Sequence, residues 1–87
     1  MTTSPQRIHP SPFFYEVWAG LMKAQGKAVP AWAVAKRFNA QTLRMMSAGS
    51  LNGEKAHRVR HAMIQEVGEE IFSQLHEMRL RKAGMLG

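Results

Sequence analysis

Apolar residues recur at intervals of three and four through most of the chain, and proline or glycine interrupts the runs. Phe14, Val17, Trp18, Leu21 and Met22 make one helical face. Ser11 can cap that helix, and Pro12 suits its first position, where no N–H is needed. Gly26 supplies a left-handed end. A second helix is expected from Pro30, with Val34, Ala35 and Phe38 inward and Lys36 and Arg37 outward. Trp32 falls off that face, in solvent or at the edge of the core. Asn39 belongs to the few non-glycine types that accept a left-handed backbone, and is expected to end the helix. The next helix would run from about Gln41 to Ala48, with Met45 and Ala48 inward and Gly49 closing it. Two helices so close leave no room for an ordinary loop, which is the pattern of a helix-turn-helix.

After Ser50 and Leu51, Asn52 is a good cap and Glu54 favours the positive end of a helix dipole. Ala56, Val59, Met63, Val67, Ile71, Leu75 and Met78 then continue one stripe. A single helix over 54–82 would span about 40 Å, long for a chain of this size. Either Gly68 breaks it in two, or its last third projects and pairs with another copy through Ile71, Leu75 and Met78. No strand alternation or hairpin turn occurs. The expected fold is therefore all-α: a compact domain of four or five helices over 11–82. It has a central helix-turn-helix at 30–49, a long or broken C-terminal helix, and tails at 1–10 and 83–87.

Composition narrows the chemistry. The 87 residues suffice for one modest core, and 45% are hydrophobic, as in a globular chain. Cysteine is absent, which excludes disulfides, thiol nucleophiles and cysteine zinc sites. Aspartate is absent too, which excludes Asp-based triads and Asp-rich calcium loops. The first ten residues, MTTSPQRIHP, lack the apolar segment of a signal peptide, and no run could span a membrane, so a cytoplasmic protein is expected.

The net charge is +6 and is unevenly placed. Residues 17–60 hold Lys23, Lys27, Lys36, Arg37, Arg44, Lys55, Arg58 and Arg60 against Glu54 alone, whereas residues 61–87 are slightly acidic. A concentrated positive surface attracts polyanions and releases their counterions on binding.

The segment AWAVAKRFNAQTLRMMSAG, residues 31–49, resembles the helix-turn-helix of lambda-repressor and Cro-like proteins. That pattern has a small residue, a bulky apolar residue one turn later and a left-handed turn residue. An apolar residue follows at once, and another lies five positions on. Here these fall on Ala35, Phe38, Asn39, Ala40 and Met45, with Val34 and Ala48 at further core positions. The resemblance implies that Thr42, Leu43, Met46 and Ser47 face the bases, with Gln41 and Arg44 beside them. Leu43 and Met46 could offer only apolar contact there, for instance to thymine methyls. Lys36, Arg37, Lys55, Arg58 and Arg60 would hold phosphates. The implied function is a small regulator binding double-stranded DNA, of the kind phages and mobile elements encode, acting as a homodimer if the 71–78 stripe pairs two copies. The competing reading is a helical adaptor or inhibitor. It would anchor a protein partner on Leu43, Met46 and Trp32 or on the stripe, with basic charge steering it to an acidic partner.

Other chemistry is weaker. In HRVRH, His57 and His61 lie one turn apart and Glu54 one turn before them, a chelating spacing. Arg58 and Arg60 oppose a cation, so a basic face is the better reading and no metal is expected. Ser4, Ser11, Ser47, Ser50 and Ser73 lack a nucleophile motif, and no glycine-rich phosphate loop occurs. Neither catalysis nor a cofactor is expected.

Overall fold

Helix-forming segments punctuated by Pro30, Gly26, Gly49 and Gly68 give five helices in the computed structural model, which describes residues 10–49 and 53–84. They are α1 (Phe14–Ala24), α2 (Val29–Lys36), α3 (Ala40–Ala48), α4 (Glu54–Val67) and α5 (Glu69–Lys82), and the fold is all-α. No helix among the described residues is long and apolar enough to cross a membrane. The proposed cap at Asn52 lies outside the described residues.

The face that α1 presents to the interior explains the architecture. Phe14, Trp18 and Met22, spaced by four, are fully buried, and α1 packs against each of the other four helices. Helix α3 packs on α4, and α4 on α5. Burying an aromatic side chain of this size contributes on the order of 3 kcal/mol, which is why the Phe14–Trp18–Met22 row sets the centre. The chain entering α1 is tied down by Ser11. Its N–H donates to the Ser47 carbonyl at 3.0 Å, and its Oγ accepts from the Phe13 N–H at 3.1 Å. The same Oγ is 2.7 Å from His76 Nε2, and the His76 ring packs against Phe14 and Phe72. Ser11 is therefore not the cap expected of it. The helix begins at Phe14, two residues later than Pro12 would place it, with Phe13 at its N-cap, and Ser11 instead anchors the chain just before the helix.

Gly68, at φ 107°, divides the long apolar stripe. Ala56, Val59, Met63 and Val67 are buried, but the new axis of α5 turns Phe72 and His76 inward instead of Ile71 and Met78. Ile71 and Met78 stand in solvent, and Leu75 is half-buried.

Helix α2 buries a different face from the expected one. Trp32 and Ala33 are inside, whereas Val34 is 77% exposed and Ala35 is also exposed. A helix with apolar residues on both sides buries the side that removes more area from water, and an indole outweighs a valine. Trp32 lies edge-on to Trp18 with centroids 5.1 Å apart, touches the Phe38 ring at 5.8 Å, and donates Nε1–H to Glu66 Oε1 at 3.0 Å.

The end of α2 also differs. Arg37, not Asn39, takes the left-handed backbone, at φ 62° and ψ 40°. The Phe38 N–H donates to the Ala33 carbonyl at 2.8 Å and the Arg37 N–H to Val34 at 3.0 Å, the two bonds of a Schellman stop. Asn39 caps the next helix instead, its side chain accepting from the Gln41 and Thr42 N–H groups. A left-handed arginine is strained by its Cβ, so Arg37→Gly should raise unfolding free energy by roughly 0.5–1 kcal/mol in a urea titration.

Glu66 locks the start of α2 onto the end of α4. Lys27 Nζ lies 3.0 Å from its carboxylate and also donates to its backbone carbonyl at 2.7 Å. The hydrogen bond from Lys27, reinforced by that from Trp32 and by the charges of Lys27 and Lys36, holds the carboxyl below its ordinary pKa despite partial desolvation. A carboxylate depressed in the folded state stabilises the fold above its unfolded pKa, and that contribution disappears as pH falls through the folded value. Melting curves of wild type and Glu66→Gln should therefore differ at neutral pH and converge in acid. The gap should be no more than about 1 kcal/mol, because the pair is partly solvated.

Candidate nucleic-acid interface

The eight residues of α2, a turn of Arg37, Phe38 and Asn39, and the nine residues of α3 form a helix, a three-residue turn and a helix. Helix-turn-helix units need a left-handed residue at the start of such a turn and apolar residues that hold the second helix from behind. A left-handed residue and buried apolar side chains are both present, two residues earlier than the sequence suggested, and the apolar face of α3 is held by α1 and α4 rather than by α2. Ala33 is the buried small residue, Arg37 the left-handed one, and Phe38 the half-buried residue that follows. Leu43 and Met46 are the buried residues of the second helix. The bulky apolar position of the pattern falls on Lys36, which is exposed.

This register corrects several expectations. Leu43, Met46 and Ser47 do not face outward. Leu43 and Ser47 are fully buried and Met46 nearly so, because the 43–46–47 face of α3 packs on α1 and α4. The Ser47 hydroxyl donates to the Leu43 carbonyl of its own helix. The proposed protein anchors Leu43, Met46 and Trp32 are therefore core residues. Conversely, Met45 and Ala48, expected inside, lie on the surface. Gln41 and Arg44 are exposed and Thr42 is half-buried, so the outer face of α3 carries Gln41, Arg44, Met45 and Ala48. The Arg44 guanidinium rests over the Tyr15 ring, 5.1 Å from its centroid, which fixes its stem without neutralising it.

Arg60 is the other correction. It is 4% exposed, and its Nη1 donates to the Met46 carbonyl at 2.7 Å, closing the C-terminal end of α3. Burial lowers its pKa. It ties α4 to α3 and does not reach a phosphate. Lys36, Arg37, Lys55 and Arg58 are exposed as expected. Arg58 pairs with Glu54 at 2.8 Å, one turn away, whereas Lys36, Arg37, Arg44 and Lys55 form no ion pair among the described residues. Neither α2 nor α3 carries an acidic side chain. His57 and His61 are exposed on α4, Glu54 is turned to Arg58, and no trio of His, Asp or Glu among the described residues is gathered as for a metal.

The Ser11–His76 contact brings together a hydroxyl and an imidazole far apart in sequence. Both are buried among aromatic rings and serve to anchor the chain entering α1. No protein-family model, curated protein or solved structure matches the chain.

Proposed function

We propose that this chain is a small DNA-binding regulator that lays α3 in the major groove. The observation carrying this reading is the outer face of α3. The buried register removes Leu43 and Met46 from that face and leaves Gln41 and Arg44 on it with Met45 and Ala48, behind a tight turn. Lys36, Arg37 and Lys55 on the flanking segments are exposed and form no ion pair among the described residues. Glutamine and arginine are side chains suited to base edges, Gln to adenine and Arg to guanine. Lys36 and Arg37 at the end of α2, and Lys55 and Arg58 in the first turns of α4, contact phosphates, which set position and most of the salt dependence.

Fluorescence anisotropy of a labelled random-sequence duplex tests this reading. With about four phosphates neutralised, affinity should fall by about 100-fold as salt rises from roughly 50 to 200 mM. Absence of binding at low salt would overturn the reading. Once a preferred site has been selected, Arg44→Ala should cost about 1–3 kcal/mol on it and relax the preference at one base pair.

A further inference from the structure

An apolar groove of about 450 Å³ lies between α1 and α5. Its walls are Val17, Gly20 and Ala24 from α1 and Leu75 and Met78 from α5. Gly20 and Ala24 lie one turn apart, and a Cβ built at Gly20 would meet no atom within 4 Å, so a helix can approach that strip closely. The salt bridge between Glu16 and Arg79, 2.9 Å, stands on the groove's margin, and Lys82 also lines it. Met78 is 64% exposed beside the groove, and Ile71 continues its stripe toward the start of α5.

The geometry points to a second copy of this chain as the occupant, with the two α5 helices antiparallel. Two features of α5 select that partner. First, Ile71, Leu75, Met78 and the stem of Lys82 follow the four-three-four spacing of a helix–helix seam. Second, the helix is polar end to end: Glu69 and Glu70 occupy its first turn and Arg79, Arg81 and Lys82 its last. An antiparallel copy sets each acidic turn against the other copy's basic turn, while a parallel copy sets like charges together. Centring the crossing between Leu75 and Met78 puts each Leu75 against the second copy's Met78 and each Glu70 near the second copy's last turn. Each Met78 then covers the Gly20–Ala24 strip of the other copy, and the contact is isologous. This inference is independent of the DNA reading, because its test contains no duplex.

Sedimentation equilibrium of the full chain over a wide range of concentration should show the 9.8 kDa monomer passing to a species of twice that mass. Met78→Glu should remain monomeric with an unchanged helical circular dichroism spectrum, since the side chain is mostly in solvent. Glu70→Lys and Lys82→Glu should each weaken the dimer by about tenfold, each contact occurring twice. The combined charge swap should restore association. A wild type that stays monomeric throughout overturns the proposal and leaves the groove to a different protein. A dimer that survives Met78→Glu places the interface elsewhere. Failure of the combined swap to restore association overturns the antiparallel register.

Discussion

Arg60→Glu should destroy the fold, whereas Arg60→Met should leave it largely intact. Arginine at this position is buried and donates to the Met46 carbonyl in the last turn of α3. A glutamate there would be a buried anion aimed at a carbonyl and at the negative end of a helix dipole. A buried unpaired charge costs several kcal/mol, comparable with the roughly 4–13 kcal/mol of total stability expected for a chain of this length. Methionine keeps most of the packed volume and forfeits one charge-assisted hydrogen bond. The Met46 carbonyl still accepts from the Gly49 N–H at 3.3 Å, so the loss should be about 1–2 kcal/mol. Arg58→Glu is the matched control. It makes the same charge change two residues away on an exposed side chain, and should cost no more than about 1 kcal/mol. Thermal melts followed by circular dichroism check all three. A native melt for Arg60→Glu would mean that the side chain reaches solvent and is available to a phosphate after all. If the fold is lost as expected, absent DNA binding by that variant carries no information about contacts.

The two arginines of HRVRH look alike as a string but differ in helical phase. Arg60 lies four residues after Ala56 and three and four before Met63 and Ile64, all of them buried. Phase therefore carried the signal for its burial, and charge type alone pointed the wrong way. Element ends were readable because their causes are local: Pro30 in the first turn of α2, Gly49 in a left-handed stop, Gly68 at the break between α4 and α5.

The facing of α2 and α3 was harder to read, because α2 is apolar on both sides and the choice between them depends on what α1 offers. Trp18 offers an edge-on ring contact, and Trp32 takes it. Once Trp32 and Ala33 are inside, the turn must begin at Arg37, and Leu43 and Met46 follow into the core. One local misreading, the assignment of the left-handed turn to Asn39, thus displaces the assigned positions of α3 by two, while the stripe of α4 from Ala56 to Val67 is buried where it was expected. The same shift takes Leu43 and Met46 off the outer face of α3 and puts Met45 and Ala48 there beside Gln41 and Arg44. The Ser11–His76 contact had no sequence signal at all, since it joins residues 65 apart.

Lys36→Glu combined with Lys55→Glu should reduce affinity for a random duplex by about 100-fold at low salt and lower the magnitude of the salt slope by about 2. Neither lysine has an ion pair among the described residues, so the reversals break no such contact. Lys36→Glu removes only its longer-range attraction for Glu66, and stability in circular dichroism melts should fall by no more than about 1 kcal/mol. The two positions bracket α3 in sequence, one at the end of α2 and one at the start of α4. A duplex seated on α3 should therefore feel both. Net charge falls from +6 to +2, and long-range attraction weakens for that reason alone. Lys23→Glu separates the two effects. It removes the same charge per substitution from the last turn of α1, about 12 Å along that helix from Tyr15, on whose ring Arg44 rests. If binding follows net charge only, Lys23→Glu should weaken it as much as Lys36→Glu does. If α3 and its neighbours make the contact, Lys36→Glu should lower the salt slope by about one unit and Lys23→Glu should leave the slope unchanged. Equal slopes for the two single variants would remove α3 as the contact surface, even if the protein binds DNA.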